Sequence, residues 1–252
     1  MITVDELTAT SPVVSSADPS ITFDDYASEY EESLQYGLTV SGEKPEYFAR
    51  RRIQWTRSLL DSKGVQISTV LDFGCGVGIA TPLLNEILCP NCIWGFDPSR
   101  AAIERARRDH TCSTNNFVDS ANVLPTSICD LVYTNGVFHH IPPDERATAL
   151  ATVWRTLRPG GWFAFWENNP WNPGTRLVMS RIPFDRDAIV ISPFEANHLL
   201  LSAGFTTVRT DAWFLFPHAL RWLRGFESLF HRFPLGAQYL VLAQKPLINE
   251  RQ

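Results

Sequence analysis

The chain has 252 residues, of which 44% are hydrophobic and 19% charged, and its formal net charge is −5. This is the composition of a globular protein with a core of ordinary size, in one domain or at most two small ones. The acidic balance argues against a nucleic-acid binder, which needs a basic stripe to neutralise phosphates, and no apolar run is long enough to cross a bilayer.

Residues 1–22 mix Thr, Ser, Pro and Asp and read as a flexible lead-in, without the basic start and apolar block of a secretory signal. Helices are expected near Asp24 to Gln35 and near Pro45 to Ser62, so that 23–64 forms an N-terminal helical region. Arg50-Arg51-Arg52, followed by Arg57, point in different directions on a helix and read as a solvated face, which leaves neither nucleic-acid nor general membrane-surface binding as an expectation.

From there short apolar stretches alternate with helical ones. Strands are expected at Thr69 to Phe73, Cys92 to Phe96, Asn116 to Val118, Cys129 to Tyr133 and Trp162 to Trp166. Helices are expected at Ala80 to Leu88, at Ala101 to Arg108 behind an N-cap at Ser99, and at Asp144 to Leu157, the last stopped by Arg158-Pro159-Gly160-Gly161. Alternation of this kind means βαβ units and an α/β, doubly wound, mostly parallel sheet. The ending differs: a helix from Ser192 to Ala203, then β-like stretches at Thr206 to Phe216 and Gln238 to Lys245, with no full βαβ unit between them and a last strand free to run antiparallel. No internal repeat or low-complexity tract interrupts the pattern.

The five cysteines, an odd number in apolar or glycine-rich surroundings, suit a reduced, cytoplasmic protein. Cys89-Pro-Asn-Cys92 has a metal-like spacing, but zinc needs a second ligand pair and a redox pair should open a helix, so no metal site is expected.

The sharpest signal is Val70-Leu71-Asp72-Phe73-Gly74-Cys75-Gly76-Val77-Gly78. Glycines after a strand allow positive φ and close approach of the backbone to a ligand, and ligands of doubly wound sheets bind beyond the carboxyl ends of the strands. Asp97 closes the second strand at the position of a ribose-binding carboxylate, and Asp119 closes the third. A dinucleotide and S-adenosylmethionine (SAM) both carry such a ribose. The third glycine of the dinucleotide fingerprint is missing, since position 79 is Ile, and Asp72 suits a cationic amino group better than a pyrophosphate.

These elements, with Gly95-Phe96-Asp97-Pro98-Ser99, Phe117-Val118-Asp119-Ser120, Asp130 to Asn135 and Leu157 to Gly161, resemble the class I SAM-dependent methyltransferases in the family's own order, from about Ile67 to Phe165. The resemblance implies a seven-stranded sheet with an antiparallel last strand. It also implies that Asp72 and the backbone at Gly74, Cys75 and Gly76 hold the methionine part, that Asp97 bonds the ribose and Pro98 flanks the adenine, that Asp119 with Ser120 reads the adenine amino group, and that Asn135 lies near the methionine carboxylate or sulfonium. The chain is then a SAM methyltransferase spanning 23–252. The alternative is a SAM-binding regulatory or partner protein without transferase activity.

For catalysis, the pair His139-His140 after the fourth strand can supply a base near neutral pH, or simply pack; Glu167, ending the fifth strand, can orient the acceptor or cap the loop Asn168-Asn169-Pro170. Tyr26 and Tyr30 share a helix face and can close over the cofactor or pack in the core, and Arg51 is a further candidate for the cofactor carboxylate. The segments 170–193, with Arg176, Met179, Arg181, Phe184 and Arg186, and 213–236, with Trp222, Phe226, Phe230 and Phe233, are expected to cap the acceptor pocket, most of their aromatics burying one another. The acceptor expected is a small molecule methylated on oxygen or nitrogen, of natural-product, glycan or lipid-like character. Asn135-Gly136-Val137-Phe138 departs from the Asn/Asp-Pro-Pro-Tyr motif of enzymes that methylate DNA bases and protein glutamine.

Overall fold

The computed structural model describes residues 36–185 and 188–247. The expected lead-in, the helix near Asp24 to Gln35 with Tyr26 and Tyr30, and Arg186 lie outside the described residues.

The elements run α1 (Pro45–Asp61), β1 (Thr69–Phe73), α2 (Thr81–Leu88), β2 (Cys92–Phe96), α3 (Arg100–Asp109), β3 (Asn115–Val118), β4 (Cys129–Asn135), α4 (Arg146–Thr156), β5 (Leu157–Asn168), α5 (Pro173–Met179), α6 (Pro193–Ser202), β6 (Thr206–Trp213), α7 (Glu227–Phe230) and β7 (Gln238–Gln244). Local chemistry sets the ends. Ser99 Oγ accepts from Ala102 N at the start of α3, and Ser192 and Glu195 form a reciprocal capping box at the start of α6. Cys89, in the left-handed region with φ 50°, terminates α2.

The seven strands stand in the order β3-β2-β1-β4-β5-β7-β6, with β1 to β5 parallel and β7 antiparallel to both β5 and β6. Strand order reverses between β1 and β4, the place where a crevice opens beyond the carboxyl ends. One expectation needs adjusting. Arg158-Pro159-Gly160-Gly161 does not separate helix from strand but lies inside β5 as an irregularity, where Cys129 faces Leu157 and Leu131 faces Trp162. The end of the neighbouring strand β7 holds this stretch, because Lys245 N donates to Gly161 O and Gly160 N to Lys245 O, both at 2.9 Å.

Central strands alternate between two cores. Val70, Leu131, Tyr133 and Trp166 pack toward α1 and α2, while Leu71, Val132, Phe163 and Phe165 pack toward α4 and α6. Burial on both faces explains the nearly unbroken apolar runs of these strands. The connector between β6 and β7 departs from expectation: Trp222, Phe226, Phe230 and Phe233 are 72%, 52%, 42% and 56% exposed rather than buried against one another. The connector is a short 3-10 stretch followed by a one-turn helix, and what anchors it is the buried Glu227, whose Oε1 accepts from Leu215 N and Phe216 N. Among the described residues no helix is long and apolar enough to cross a membrane.

Candidate active site

The loop after β1 is drawn tightly to β2. Gly74 N and Cys75 N both donate to Phe96 O, at 2.7 and 2.9 Å. Asp97 ties the next turn: its Oδ2 accepts from Gly76 N and its Oδ1 from Ser99 N, each at 2.9 Å. One carboxylate therefore fixes both the glycine loop and the start of α3. Gly74 and Gly76 hold φ of 76° and 52°, a region that favours glycine. A Cβ on Gly74 would meet Val137 Cγ2 at 2.4 Å, whereas one on Gly76 would meet nothing within 4 Å. The open space beside Gly76 belongs to a cavity of about 550 Å³, lined among others by Gly74, Cys75, Gly76, Asp97, Pro98 and Asn135.

Asp72 lies buried beneath this loop, and its Oδ2 has no hydrogen-bond partner among the described residues. Burial, and then the charge of Asp97, push its carboxyl up to about 7 against the opposing pull of Arg52. Asn135 Oδ1 is a second buried acceptor without a donor. Of these two orphaned acceptors Asn135 lines both cavities and Asp72 lines neither, and a buried pair of acceptors so close to the loop fits a ligand that carries an ammonium group, as the amino-acid part of SAM does. Burial pushes the Cys75 thiol well above its ordinary range, so it is no nucleophile. Asp119 stands exposed at the end of β3, and neither it nor Ser120 lines the cavity; Ala121, the next residue, does.

A second cavity of about 420 Å³ is lined by residues that include Tyr47, Arg52, Phe184, Asp185, Arg224 and Gln238. The two cavities share three lining residues, Asn135, Gly136 and His140.

His139 and His140 meet two carboxylates at this seam. His139 Nδ1 lies 2.6 Å from Glu167 Oε2, and His139 Nε2 and His140 Nε2 lie 3.4 and 3.2 Å from the same oxygen, Asp185 Oδ1. Glu167 is fully buried and lines neither cavity. Its Oε1 accepts from Phe138 N at 2.8 Å and its Oε2 from Asn168 N at 3.2 Å. It therefore braces two loops and one imidazole and does not reach an acceptor. Burial disfavours a charge on His139, but the charge of Glu167 and the closeness of both carboxylates outweigh it and raise the imidazole to about 10. An imidazole that keeps its proton across neutral pH is a poor general base. His140, by contrast, borders both cavities.

Asp185 and Gln238 are not singled out by the sequence, and Arg52 is read there as part of a solvated face. Arg52 is only 7% exposed, not solvated; its Nη1 donates to Gln238 Oε1 at 2.7 Å and its Nε to Tyr133 Oη at 3.3 Å. The signal was present, because Arg52 falls in phase with the buried face Ala49, Ile53, Thr56 and Leu60 of α1. Arg51 instead places its guanidinium 5.3 Å from the centre of the Trp213 ring.

Comparison with known proteins gives a consistent picture. A family model described as a methyltransferase domain matches residues 70–161. The chain is 30% identical over 189 residues to a trans-aconitate 2-methyltransferase of Azoarcus, an alignment covering 72% of this chain and 70% of that protein. It is 35% identical over 101 residues to a carboxy-S-adenosyl-L-methionine synthase of Erwinia tasmaniensis, covering 37% of this chain and 41% of that one. Among solved structures, a phosphoethanolamine N-methyltransferase of Haemonchus contortus in complex with SAM shares the fold at a TM-score of 0.59 and 13% identity, covering 90% of this chain and 61% of that one.

Proposed function

This chain belongs to the class I SAM-dependent methyltransferases, and we propose that within that family it moves a methyl group to an oxygen or nitrogen of a small molecule held in the second cavity. The observation that carries this reading is the seam: the cofactor cavity and the second cavity meet at Asn135, Gly136 and His140.

SAM supplies a methyl group on a sulfonium, which is already a good leaving group. What remains for the protein is to hold the two reactants in line, and alignment alone can contribute about 7–11 kcal/mol. On this reading Asp72 and Asn135 take the amino-acid end of SAM, the backbone at Gly74 to Gly76 lets it approach, and Asp97 and Pro98 flank the nucleoside. His140 is the catalytic residue, the ionisable side chain common to both cavities, standing where the acceptor's nucleophilic atom arrives. His139 and Glu167 act through it as positioning residues.

The lining of the second cavity favours an oxygen-rich acidic acceptor. Arg52 has no carboxylate within ion-pair distance among the described residues, and a buried guanidinium whose hydrogen bonds go to neutral groups matches a carboxylate on a ligand. The similarity to a methyltransferase named for trans-aconitate points the same way. Tyr47, Phe48, Phe184, Phe214 and Phe216 supply an apolar wall for the rest of the molecule.

The test is a screen of methyl-labelled SAM against pools of small acids, alcohols and amines. Transfer to at least one pool member is expected, with loss of turnover and near-unchanged SAM binding in His140→Ala. SAM binding without transfer to any pool, or full turnover by the variant, would overturn the proposal.

A further inference from the structure

We infer that His139, His140 and Asp185 form a binding site for a divalent metal cation at the polar end of the second cavity. The inference rests on the reading of that cavity as the acceptor site, and it gives the acceptor a chemistry: adjacent oxygens that chelate.

The geometry comes first. Both imidazole Nε2 atoms converge on one oxygen, Asp185 Oδ1, at 3.4 and 3.2 Å. One ligand atom from each of the three residues falls within 4.8 Å of the others. Ligands about 2.1 Å from a shared cation stand about 3.0 Å apart in an octahedral shell and about 3.4 Å apart in a tetrahedral one. The two spacings to Asp185 fall within the range of such edges.

The second observation is a buried atom without a partner. His139 is 2% exposed, and its Nε2 makes no hydrogen bond among the described residues although it faces the Asp185 carboxylate. A closed hydrogen-bonded ion network would satisfy that nitrogen, since buried polar atoms are almost always paired. A metal–nitrogen bond satisfies it as well, the cation taking the place of the proton that the metal-free imidazole carries.

The surroundings are those of a metal site. The other nitrogen of His139 is held by Glu167 at 2.6 Å, and Glu167 is itself pinned by Phe138 N and Asn168 N. A carboxylate on the far imidazole nitrogen fixes the tautomer that presents its lone pair to a metal. Two imidazoles and one carboxylate suit Mn²⁺, Fe²⁺ or Zn²⁺ better than Mg²⁺, which prefers oxygen ligands. Three protein ligands leave coordination positions open. All three residues line the second cavity, so the open positions are available to oxygens of an acceptor there. The sequence predicts no metal site at Cys89-Pro-Asn-Cys92 or elsewhere; the ligands come from the loop after β4 and from the turn Pro183–Asp185.

The experiment is a titration of the purified full chain, stripped with chelator, with Mn²⁺, read by electron paramagnetic resonance without SAM or acceptor. Loss of about one equivalent of free Mn²⁺ signal is expected. Asp185→Asn and His140→Ala should each weaken binding at least tenfold, and Glu167→Gln by about 10–100-fold. Cys89→Ser/Cys92→Ser should leave it unchanged, and circular dichroism checks that each variant folds. Absence of binding by the wild type, or undiminished binding in folded Asp185→Asn and His140→Ala, overturns the inference. Methyl transfer by chelator-stripped protein at the full rate also overturns it while leaving the methyltransferase reading intact. Mn²⁺ bound without transfer to any acceptor leaves the metal site standing and removes the proposed function instead.

Discussion

Glu167 and His139 come from the end of β5 and the loop after β4, and their side chains meet at 2.6 Å with 0% and 2% exposure. Removing one partner of a buried pair leaves an uncompensated group, a loss of about 3–5 kcal/mol. Glu167→Leu should fall in that range by urea denaturation, and Glu167→Gln, which keeps an acceptor for Phe138 N, should lose less. The pH dependence follows from the two shifts. His139 is raised from 6.5 to about 10, so its contribution is complete below pH 6.5 and fades as pH rises through 10. Glu167 is lowered from 4.5, so its contribution is complete above pH 4.5 and fades in acid. The stability gap between wild type and variant should therefore be widest from about pH 4.5 to 6.5. A gap independent of pH would show that the pair is not ionised.

Asp72 should couple SAM binding to a proton. Its carboxyl is raised from 3.8 to about 7, so the free protein holds a proton there that the unfolded chain has lost, and stability falls as pH rises from 3.8 to 7. A cofactor ammonium demands the carboxylate. Below pH 7 SAM binding should release a proton, and affinity should drop about tenfold per pH unit. Calorimetry in two buffers of different ionisation enthalpy measures the proton directly. Asp72→Asn should bind SAM at least tenfold more weakly with a flat pH profile. Wild-type affinity in that variant would remove Asp72 from the site.

Gly74 and Gly76 separate packing from ligand approach. Both have positive φ, which costs a non-glycine residue about 1–2 kcal/mol. In Gly74→Ala the new methyl also strikes Val137 at 2.4 Å, adding about 1–3 kcal/mol of overpacking. In Gly76→Ala the methyl meets only open space, in the cavity lined by Gly76, Asp97 and Asn135. Thermal unfolding should show the larger loss for Gly74→Ala. Gly76→Ala should stay the more stable of the two yet lose at least tenfold in SAM affinity. The reverse ranking of stabilities would contradict the described loop.

The parallel half of the fold was legible because each strand is short, apolar and followed by glycine or an acidic residue, from Val70 to Asp119. The strand pattern put the glycine loop and the strand-end carboxylates Asp97 and Asp119 on one rim, and the family resemblance added Asp72 and Asn135; Asp97 and Asn135 do line one cavity, whereas Asp119 stands exposed outside it. What sequence could not supply was convergence over distance. Asp185 reaches His139 and His140 because a turn in the 170–193 insertion folds back onto the end of β4, and no local pattern announces that fold-back. Glu167 was visible as a strand-end acid, but only its burial shows that it braces a histidine. The exposed aromatics near Trp222 misled for the opposite reason: apolar composition signals burial, and here it is not met.

Arg52 offers the clearest separation of acceptor binding from cofactor binding. Its guanidinium is buried, lines the second cavity, and leans on the neutral groups of Gln238 and Tyr133. If it receives an acidic acceptor, Arg52→Gln should raise KM for that acceptor at least tenfold while SAM affinity changes less than threefold. Arg52→Lys should recover little, since a lysine ammonium cannot reproduce a two-pronged contact with a carboxylate. Arg52 also lowers the Asp72 carboxyl, so the glutamine variant should move the pH profile of SAM binding upward. Equal losses for SAM and for acceptor at pH 8, where Asp72 is largely ionised in the wild type, would assign Arg52 to the cofactor side instead.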